Sequence, residues 1–165
     1  LRHIAAMMRE LLPADYGAAV TVLRDAAPRL DGLGLQNLAF PEFVGAYGLA
    51  DWDTSMAAIE QFSQQTTGEF AVRPFILKEP ERMMAQMLVW SDHPHEGVRR
   101  LASEGCRPRL PWGIRLQSLV ADPAPILPIS WRLRAKIRAS SWMDRSWSQL
   151  SDHLWACIQF PSFME

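Results

Sequence analysis

The sequence predicts an all-α protein. Apolar residues recur at the i, i+3 and i+4 spacing of helix faces, proline and glycine separate these short stripes, and no stretch alternates apolar and polar residues as a strand does. The chain has 165 residues, 48% of them hydrophobic, so it is long enough for one domain with its own core. We therefore expect short helices packed around a single core.

The first part of the chain is expected to contain three helices. The second is expected at residues 18–26 and the third at 41–47. Residues 27–39 are expected to form the loop between these two helices, because proline and glycine interrupt the stretch. The apolar stripe that predicts the first helix consists of Ile4, Met7, Met8, Leu11 and Leu12. The first two helices should pack as a pair.

Two further helices follow. Asp53 or Thr54 is expected to cap one, and Pro80 stands where a first-turn proline is tolerated at the start of the other, which Ser91 ends. The residues expected to be buried are Met56, Ile59 and Phe62 in the earlier helix and Met83, Met84, Met87 and Leu88 in the later one.

The stretch from 98 to 112 combines a helix with four arginines and a tryptophan. Its expected buried face is Val98, Leu101, Ala102 and Gly105, with Arg99, Arg100 and Glu104 pointing elsewhere. Pro108 and Pro111 exclude helix afterwards, which leaves Arg107, Arg109 and Trp112 on a connection. An electropositive loop with an aromatic residue at its tip is a candidate for binding an anion.

Charge is unevenly distributed along the chain. Residues 1–66 carry four arginines against eight acids, whereas residues 67–165 carry thirteen basic residues against ten acids. A solvated helical face and a nucleic-acid-binding surface both explain such clustering. No membrane span or signal peptide is evident, so we expect a cytoplasmic protein, and the absence of an initiator Met at Leu1 suggests a fragment. Cys106 and Cys157 are expected to be ordinary thiols.

The turn that begins at Asp92 resembles a helical repeat. Asp92-His-Pro-His-Glu-Gly-Val-Arg-Arg-Leu-Ala is similar to the turn and second helix of a HEAT repeat. A weaker echo, Phe70-Ala-Val-Arg-Pro, places its Val-Arg pair 26 residues earlier, too close for a regular repeat of about 40 residues. We therefore expect an irregular α-solenoid of HEAT-like helical repeats.

Three segments in order carry a family resemblance: Gly68-Glu-Phe-Ala-Val-Arg-Pro-Phe-Ile-Leu77, Val98-Arg-Arg-Leu-Ala-Ser-Glu-Gly105 and Arg107-Pro-Arg-Leu-Pro-Trp112. They resemble the bacterial DNA alkylation repair proteins of the AlkC type, relatives of the AlkD glycosylases. The resemblance implies hydrolysis of the N-glycosidic bond of cationic N-alkylated bases such as 3-methyladenine. The implied partner is double-stranded alkylated DNA, bound by a monomer without metal or organic cofactor.

The resemblance also implies roles for individual residues. Glu69 would be the carboxylate that stabilises oxocarbenium-like charge and directs a water, and Trp112 the aromatic face against the cationic nucleotide or its sugar. The arginines expected to contact DNA are Arg73, Arg99, Arg100, Arg107 and Arg109. Taken alone, Glu69 would be a helix-start acid paired with Arg73, Trp112 a core residue, and Arg99 or Arg100 a bridge between repeats.

After Pro128 the resemblance ends. The family would continue with another Asp-Pro turn and a helix that supplies a further carboxylate, but Ile129-Ser-Trp-Arg-Leu-Arg-Ala-Lys follows instead. We expect a HEAT-like domain at 1–128 and an aberrant tail at 129–165, produced by a frameshift that sequencing of the gene would test. Asp152 falls close in sequence to the position where the family's further carboxylate is expected, but its neighbouring residues do not match the family motif. The tail is expected to be an amphipathic helix or disordered, and the chain to be weak or inactive.

Two hypotheses compete with the glycosylase. One is a non-catalytic HEAT-like scaffold that binds DNA backbone or a protein partner, and it gives no reason for Glu69 and Trp112 to meet on one surface. The other is a plain helical domain whose arginines only join repeats. A metal site at His93 and His95 is disfavoured, because an i, i+2 spacing across a proline is poor ligand geometry.

Overall fold

The computed structural model of the protein describes residues 1–30 and 37–139. Within these ranges the chain forms α-helices and short 3-10 turns and no β-strand, which confirms the predicted all-α class. The α-helices are α1 (Arg2–Leu11), α2 (Tyr16–Ala26), α3 (Ala39–Tyr47), α4 (Trp52–Phe62), α5 (Val72–Lys78), α6 (Pro80–Trp90), α7 (Glu96–Glu104), α8 (Gln117–Ala121) and α9 (Leu127–Ala139).

The helices pack mainly against near neighbours in the chain. Helix α3 contacts α1, α4 and α5, α6 contacts α5 and α7, and α9 packs on α6 and α7. A continuous cluster of buried apolar side chains runs from Ala5 in α1 to Ile129 in α9. This succession of neighbouring contacts is the arrangement of an α-solenoid, as the sequence predicted.

Helix α4 begins earlier than the sequence suggested. Asp51 is its N-cap and accepts a hydrogen bond from the main-chain N–H of Thr54 at 3.1 Å, whereas Asp53 and Thr54 lie in the first turn. The prediction that Asp53 or Thr54 caps this helix was therefore wrong. An N-cap needs non-helical backbone angles, and Asp51 has them, with φ −120° and ψ 90°.

The apolar stripe of α1 is only partly buried. Ala5 is buried, whereas Ile4, Met7 and Leu11 are 45%, 52% and 84% exposed. Helix α1 packs mainly against α3, so α1 and α2 do not form the expected pair. Ala5 lies in the core, with Met8 partly buried beside it. The spacing correctly predicted a helix, but the face that contacts α3 is narrower than the apolar stripe.

The later helices largely follow their predicted pattern, although Met84 and Leu88 are only partly buried. Pro80 starts α6, and the expected inner face of α7 is buried, as are Met83 and Met87 in α6. Glu104, expected to point away from the core, is only 5% exposed. It stands at the last position of α7, where Arg100 and Arg107 pair with its carboxylate.

Helix α9 runs across the boundary placed after Pro128. Ile129 is buried in the shared core, and Arg132 NH1 lies 2.6 Å from Asp92 Oδ2. Residues 129–139 thus continue the helical fold, as one of the two alternatives for the tail anticipated. Trp142 and Asp152 lie outside the described residues, and both the domain boundary and the frameshift stay predictions.

Candidate functional site

A large open cleft lies between the start of α1, helix α3, the turn before α5 and the segment that follows α7. Its volume is about 1270 Å³. Glu69, Arg100, Glu104, Arg107 and Trp112 all line it. The structure therefore brings together the two residues to which the family resemblance gives catalytic roles, an arrangement that the scaffold hypothesis does not require.

Glu69 lies in a turn, not in a helix. Helix α5 begins at Val72, and the main-chain N–H of Glu69 faces the hydroxyl of Thr67 at 3.4 Å. Glu69 is therefore not an acid of the first turn of α5, as the alternative that pairs it with Arg73 required. Placement before the helix leaves the half-buried Glu69 side chain at the wall of the cleft.

Glu104 is the functional candidate that sequence reasoning missed. Arg100 Nε lies 2.8 Å from Glu104 Oε2, and Arg107 NH2 lies 3.8 Å from Oε1. Two arginines thus offset the cost of burying this carboxylate beside the cleft. The i, i+4 spacing of Arg100 and Glu104 predicts the first pair, but no pattern in the sequence indicates that the carboxylate turns inward.

The environment of Glu69 disfavours its charged form. Burial raises the pKa of the Glu69 carboxyl, and the nearby carboxylate of Glu104 raises it further, both through its charge and through a side-chain hydrogen bond. Arg100 and Arg107 act in the opposite direction but do not cancel these effects. A carboxyl group with a raised pKa in a cleft is typical of a functional site.

Trp112 projects into solvent at the mouth of the cleft. It is 99% exposed, so the alternative that it is a core residue was wrong. Its φ of 60° is the only positive value at a non-glycine residue among the described residues. A backbone conformation of this kind costs of the order of 1–3 kcal/mol, so it persists only where the surrounding structure enforces it. Residues in such conformations are common at functional sites.

The arginines expected to contact DNA have different positions. Arg100 and Arg107 line the cleft, whereas Arg99 and Arg109 lie outside its lining. Arg99 NH1 donates to the main-chain carbonyls of His93 and Pro94, at 2.8 and 2.6 Å, and so fastens the turn between α6 and α7. Arg99 therefore fits the structural alternative, in which it joins neighbouring elements.

Arg73 departs most from its expected role. Its side chain is 0% exposed and donates to the main-chain carbonyls of Gly105, Pro108 and Ile114. A buried guanidinium whose donors already bind carbonyl oxygens is not available to a DNA phosphate. The expectation that Arg73 contacts the phosphate backbone is therefore corrected by its position.

The histidines of the turn before α7 serve the backbone. His93 Nδ1 accepts from the N–H of His95 at 3.0 Å, and His95 Nδ1 accepts from the N–H of Gly97 at 3.2 Å.

In the described ranges, no three His, Cys, Asp or Glu side chains are grouped so as to hold a metal ion. Every helix of those ranges is too short or too polar to cross a membrane. Burial raises the pKa of the Cys106 thiol to about 12, so this thiol stays protonated at neutral pH. Cys157 lies outside the described residues.

Comparisons with known proteins identify two relatives of this chain. No family model matches the chain. The uncharacterized protein YhaZ of Bacillus subtilis (strain 168) is 51% identical over 133 residues, which cover 81% of this chain and 37% of that protein. The solved structure of Pseudomonas fluorescens alkylpurine DNA glycosylase AlkC, bound to DNA containing an abasic site analog, is 42% identical with a TM-score of 0.74. The match covers 80% of this chain and 38% of AlkC, so the chain spans under two-fifths of either relative.

Proposed function

We propose that this chain belongs to the AlkC type of helical-repeat DNA alkylation repair proteins, and that it is part of a glycosylase that removes cationic N-alkylated bases, such as 3-methyladenine, from double-stranded DNA. The observation that carries this proposal is the cleft, in which Glu69 and Trp112 stand with two arginines. We further propose a monomer that acts in the cytoplasm, where its DNA substrate would lie.

Glu69 is proposed to act on the sugar. Alkylation gives the base a positive charge and makes it a good leaving group, so the C1′–N bond breaks with its electron pair going to the base. The deoxyribose then carries oxocarbenium-like charge, which a carboxylate stabilises while it orients the water that adds to C1′. The proton of that water passes to Glu69 or to solvent. Hydrolysis of this kind requires no cofactor.

Trp112 and the cleft arginines are proposed to hold the DNA. An exposed indole face attracts a cationic nucleotide, and such contacts contribute about 0.5–2 kcal/mol. Arg100 and Arg107 would contact phosphates, with Arg109 beyond the cleft and Arg99 in the first half of α7 as further candidates. Arg73 has no direct DNA contact in this proposal.

We expect this chain alone to turn over slowly. It spans 38% of AlkC, and we expect the family resemblance to end at Pro128, before the helix that would supply a further carboxylate. A solenoid gains its binding surface repeat by repeat, so a shorter stack provides less of the DNA cradle and less charge stabilisation. The decisive test therefore has to work without rapid turnover.

That test compares binding of two abasic analogues in the same duplex, a cationic pyrrolidine and a neutral tetrahydrofuran. Because Glu69 is proposed to stabilise positive charge at the sugar, the chain should bind the cationic analogue at least about tenfold more tightly, a difference of roughly 1.4 kcal/mol. Glu69→Gln should remove this preference, whereas Glu81→Gln, on the exposed face of α6, should keep it. An undiminished preference in Glu69→Gln would exclude Glu69 from the role.

The aromatic contact is tested in the same assay. Trp112→Phe should weaken binding of the cationic analogue, whereas Trp131→Phe, on α9 and outside the cleft lining, should not. Release of methylated base under single-turnover conditions supplies the second measurement, with a loss of about 10²-fold or more expected in Glu69→Gln. Equal binding of both analogues by every variant would favour the scaffold hypothesis.

A further inference from the structure

Arg73 is buried beneath the segment that carries the candidate site. This segment, residues 105–116, leaves the end of α7 and contains Arg107, Arg109 and Trp112. Arg73 NH1 donates to Gly105 O at 3.1 Å, NH2 donates to Pro108 O at 3.4 Å, and Nε donates to Ile114 O. One side chain of α5 thus binds the beginning, the middle and the end of the segment.

The segment has little regular structure of its own. Its internal main-chain hydrogen bonds include Gly113 N to Leu110 O and Leu116 N to Pro108 O, both at 3.0 Å. Proline at 108 and 111 removes two further donors. A Cβ atom placed on Gly113 would lie 3.3 Å from Arg73 Cδ, so the aliphatic stem of Arg73 also packs against the turn that follows Trp112.

The chemistry of this contact favours a specific role. Burial lowers the pKa of Arg73, as expected for a cation removed from water, and each of its three nitrogens donates to a main-chain carbonyl. A planar guanidinium with several fixed donors can bind three separated carbonyl oxygens at once, which an ammonium cannot do in the same geometry. Space filling alone would be achieved by an apolar side chain without burying a charge.

We propose that Arg73 is a positioning residue, which holds segment 105–116 in place so that Trp112 projects over the cleft with its positive φ and Arg107 stays beside Glu104. The consequence for DNA rests on the proposed function, whereas the order of the segment does not. Arg73 would therefore influence the site through main-chain carbonyls and without touching a nucleotide.

Amide hydrogen exchange on the full chain without DNA tests this proposal. In Arg73→Met the amides of Gly113 and Leu116 should exchange at least about tenfold faster, because two turns lose their common anchor. Amides of Val20 in α2 and Ile59 in α4 should be unchanged. Arg73→Lys, which keeps the charge and part of the hydrogen bonding, should restore some of the protection, and Arg82→Met on the exposed face of α6 is the matched control.

Each other outcome contradicts the proposal. Unchanged exchange at Gly113 and Leu116 in Arg73→Met would show that the segment is ordered without the guanidinium. Faster exchange throughout the chain, or loss of the helical circular dichroism signal in both variants, would show that Arg73 supports the whole core. If Arg73 instead bound phosphate directly, Arg73→Met would leave exchange in the free protein unchanged and lower the salt dependence of DNA binding by about one contact.

The same variants separate this proposal from the proposed function. Suppose that the wild type binds cationic and neutral abasic sites equally, and that Arg73→Met still speeds exchange in segment 105–116. That result would support the positioning role and contradict the glycosylase site. Where the wild type does distinguish them, Arg73→Met should reduce the preference at least about threefold and Arg73→Lys should partly restore it. A preference that survives loss of protection in the segment would remove Arg73 from any role in recognition.

Discussion

At the scale of single residues, the charged form of Glu69 lowers the stability of the folded protein at neutral pH. Since the pKa of its carboxyl is raised above the value in the unfolded chain, this group contributes to stability below pH 4.5 and loses that contribution as pH rises through the folded-state pKa. At neutral pH the charged carboxylate therefore destabilises the fold. Residues placed for function commonly carry such a cost.

We predict that Glu69→Gln is more stable than the wild type at pH 7 and that this gain disappears at pH 4. The neutral amide avoids the cost of burying a charge next to Glu104, whereas at pH 4 the wild-type carboxyl is itself protonated. Thermal unfolding should show a melting temperature about 2 °C or more higher for Glu69→Gln at pH 7. Glu81→Gln should show no such pH-dependent difference, and an equal or lower melting temperature in Glu69→Gln at pH 7 would contradict the prediction.

Residue patterns predicted the apolar positions far better than the charged ones. Val98 and Leu101 are buried as their helical spacing requires, because burial of apolar side chains depends mainly on which face meets the core. Arg73 and Glu104 are also buried, although periodicity assigns charged residues to the solvent face. Their burial depends on partners that come together only in the fold, namely carbonyls for Arg73 and two arginines for Glu104.

At the scale of elements, close packing of α3 fixes the turn that carries Glu69. A Cβ atom on Gly45 would lie 2.9 Å from Ala71 Cα and 3.0 Å from Ala71 O, so only glycine allows this approach. Ala71 stands two residues after Glu69 in the same turn. The neighbour here is main chain, which cannot rotate away as a flexible side chain can.

We predict that Gly45→Ala destabilises the protein by about 1–3 kcal/mol, the usual cost of forcing extra volume into a packed contact. Gly17→Ala in α2 is the matched control, because its added Cβ would meet only Asp15 Oδ1 at 3.4 Å, an ordinary contact. It should be neutral or stabilising by up to about 1 kcal/mol. Urea unfolding of both variants measures the difference, and equal effects would show that α3 can move away from the turn freely.

At the scale of the whole molecule, the helical class was predictable but the cleft was not. Each helix leaves a local period in the sequence, and prolines and glycines mark most of the ends. The cleft instead joins four regions far apart in the chain, at residues 1–3, 38–47, 67–74 and 100–114. No spacing rule relates these regions, so only the family resemblance brought Glu69 and Trp112 together before the fold was known.

The salt dependence of DNA binding tests whether the arginines of the cleft contact phosphates. Each phosphate contact releases counterions and adds about 0.9 to the slope of log affinity against log salt. If Arg100 and Arg107 both contact phosphates, the double variant Arg100→Gln with Arg107→Gln should lower that slope by about 1.8. Arg82→Gln with Arg132→Gln removes the same charge from α6 and α9, outside the cleft lining, and should leave the slope nearly unchanged.

Removing both cleft arginines also leaves Glu104 buried without its cationic partners, so thermal unfolding must first show that the double variant is folded. Binding is then measured by fluorescence anisotropy at several salt concentrations with the tetrahydrofuran duplex. Equal slopes for the two double variants would mean that the charge of the whole chain, and not the cleft, attracts DNA. A selective loss in the cleft variant would locate the phosphate contacts beside Glu69 and Trp112, because Arg100 and Arg107 line the same cleft.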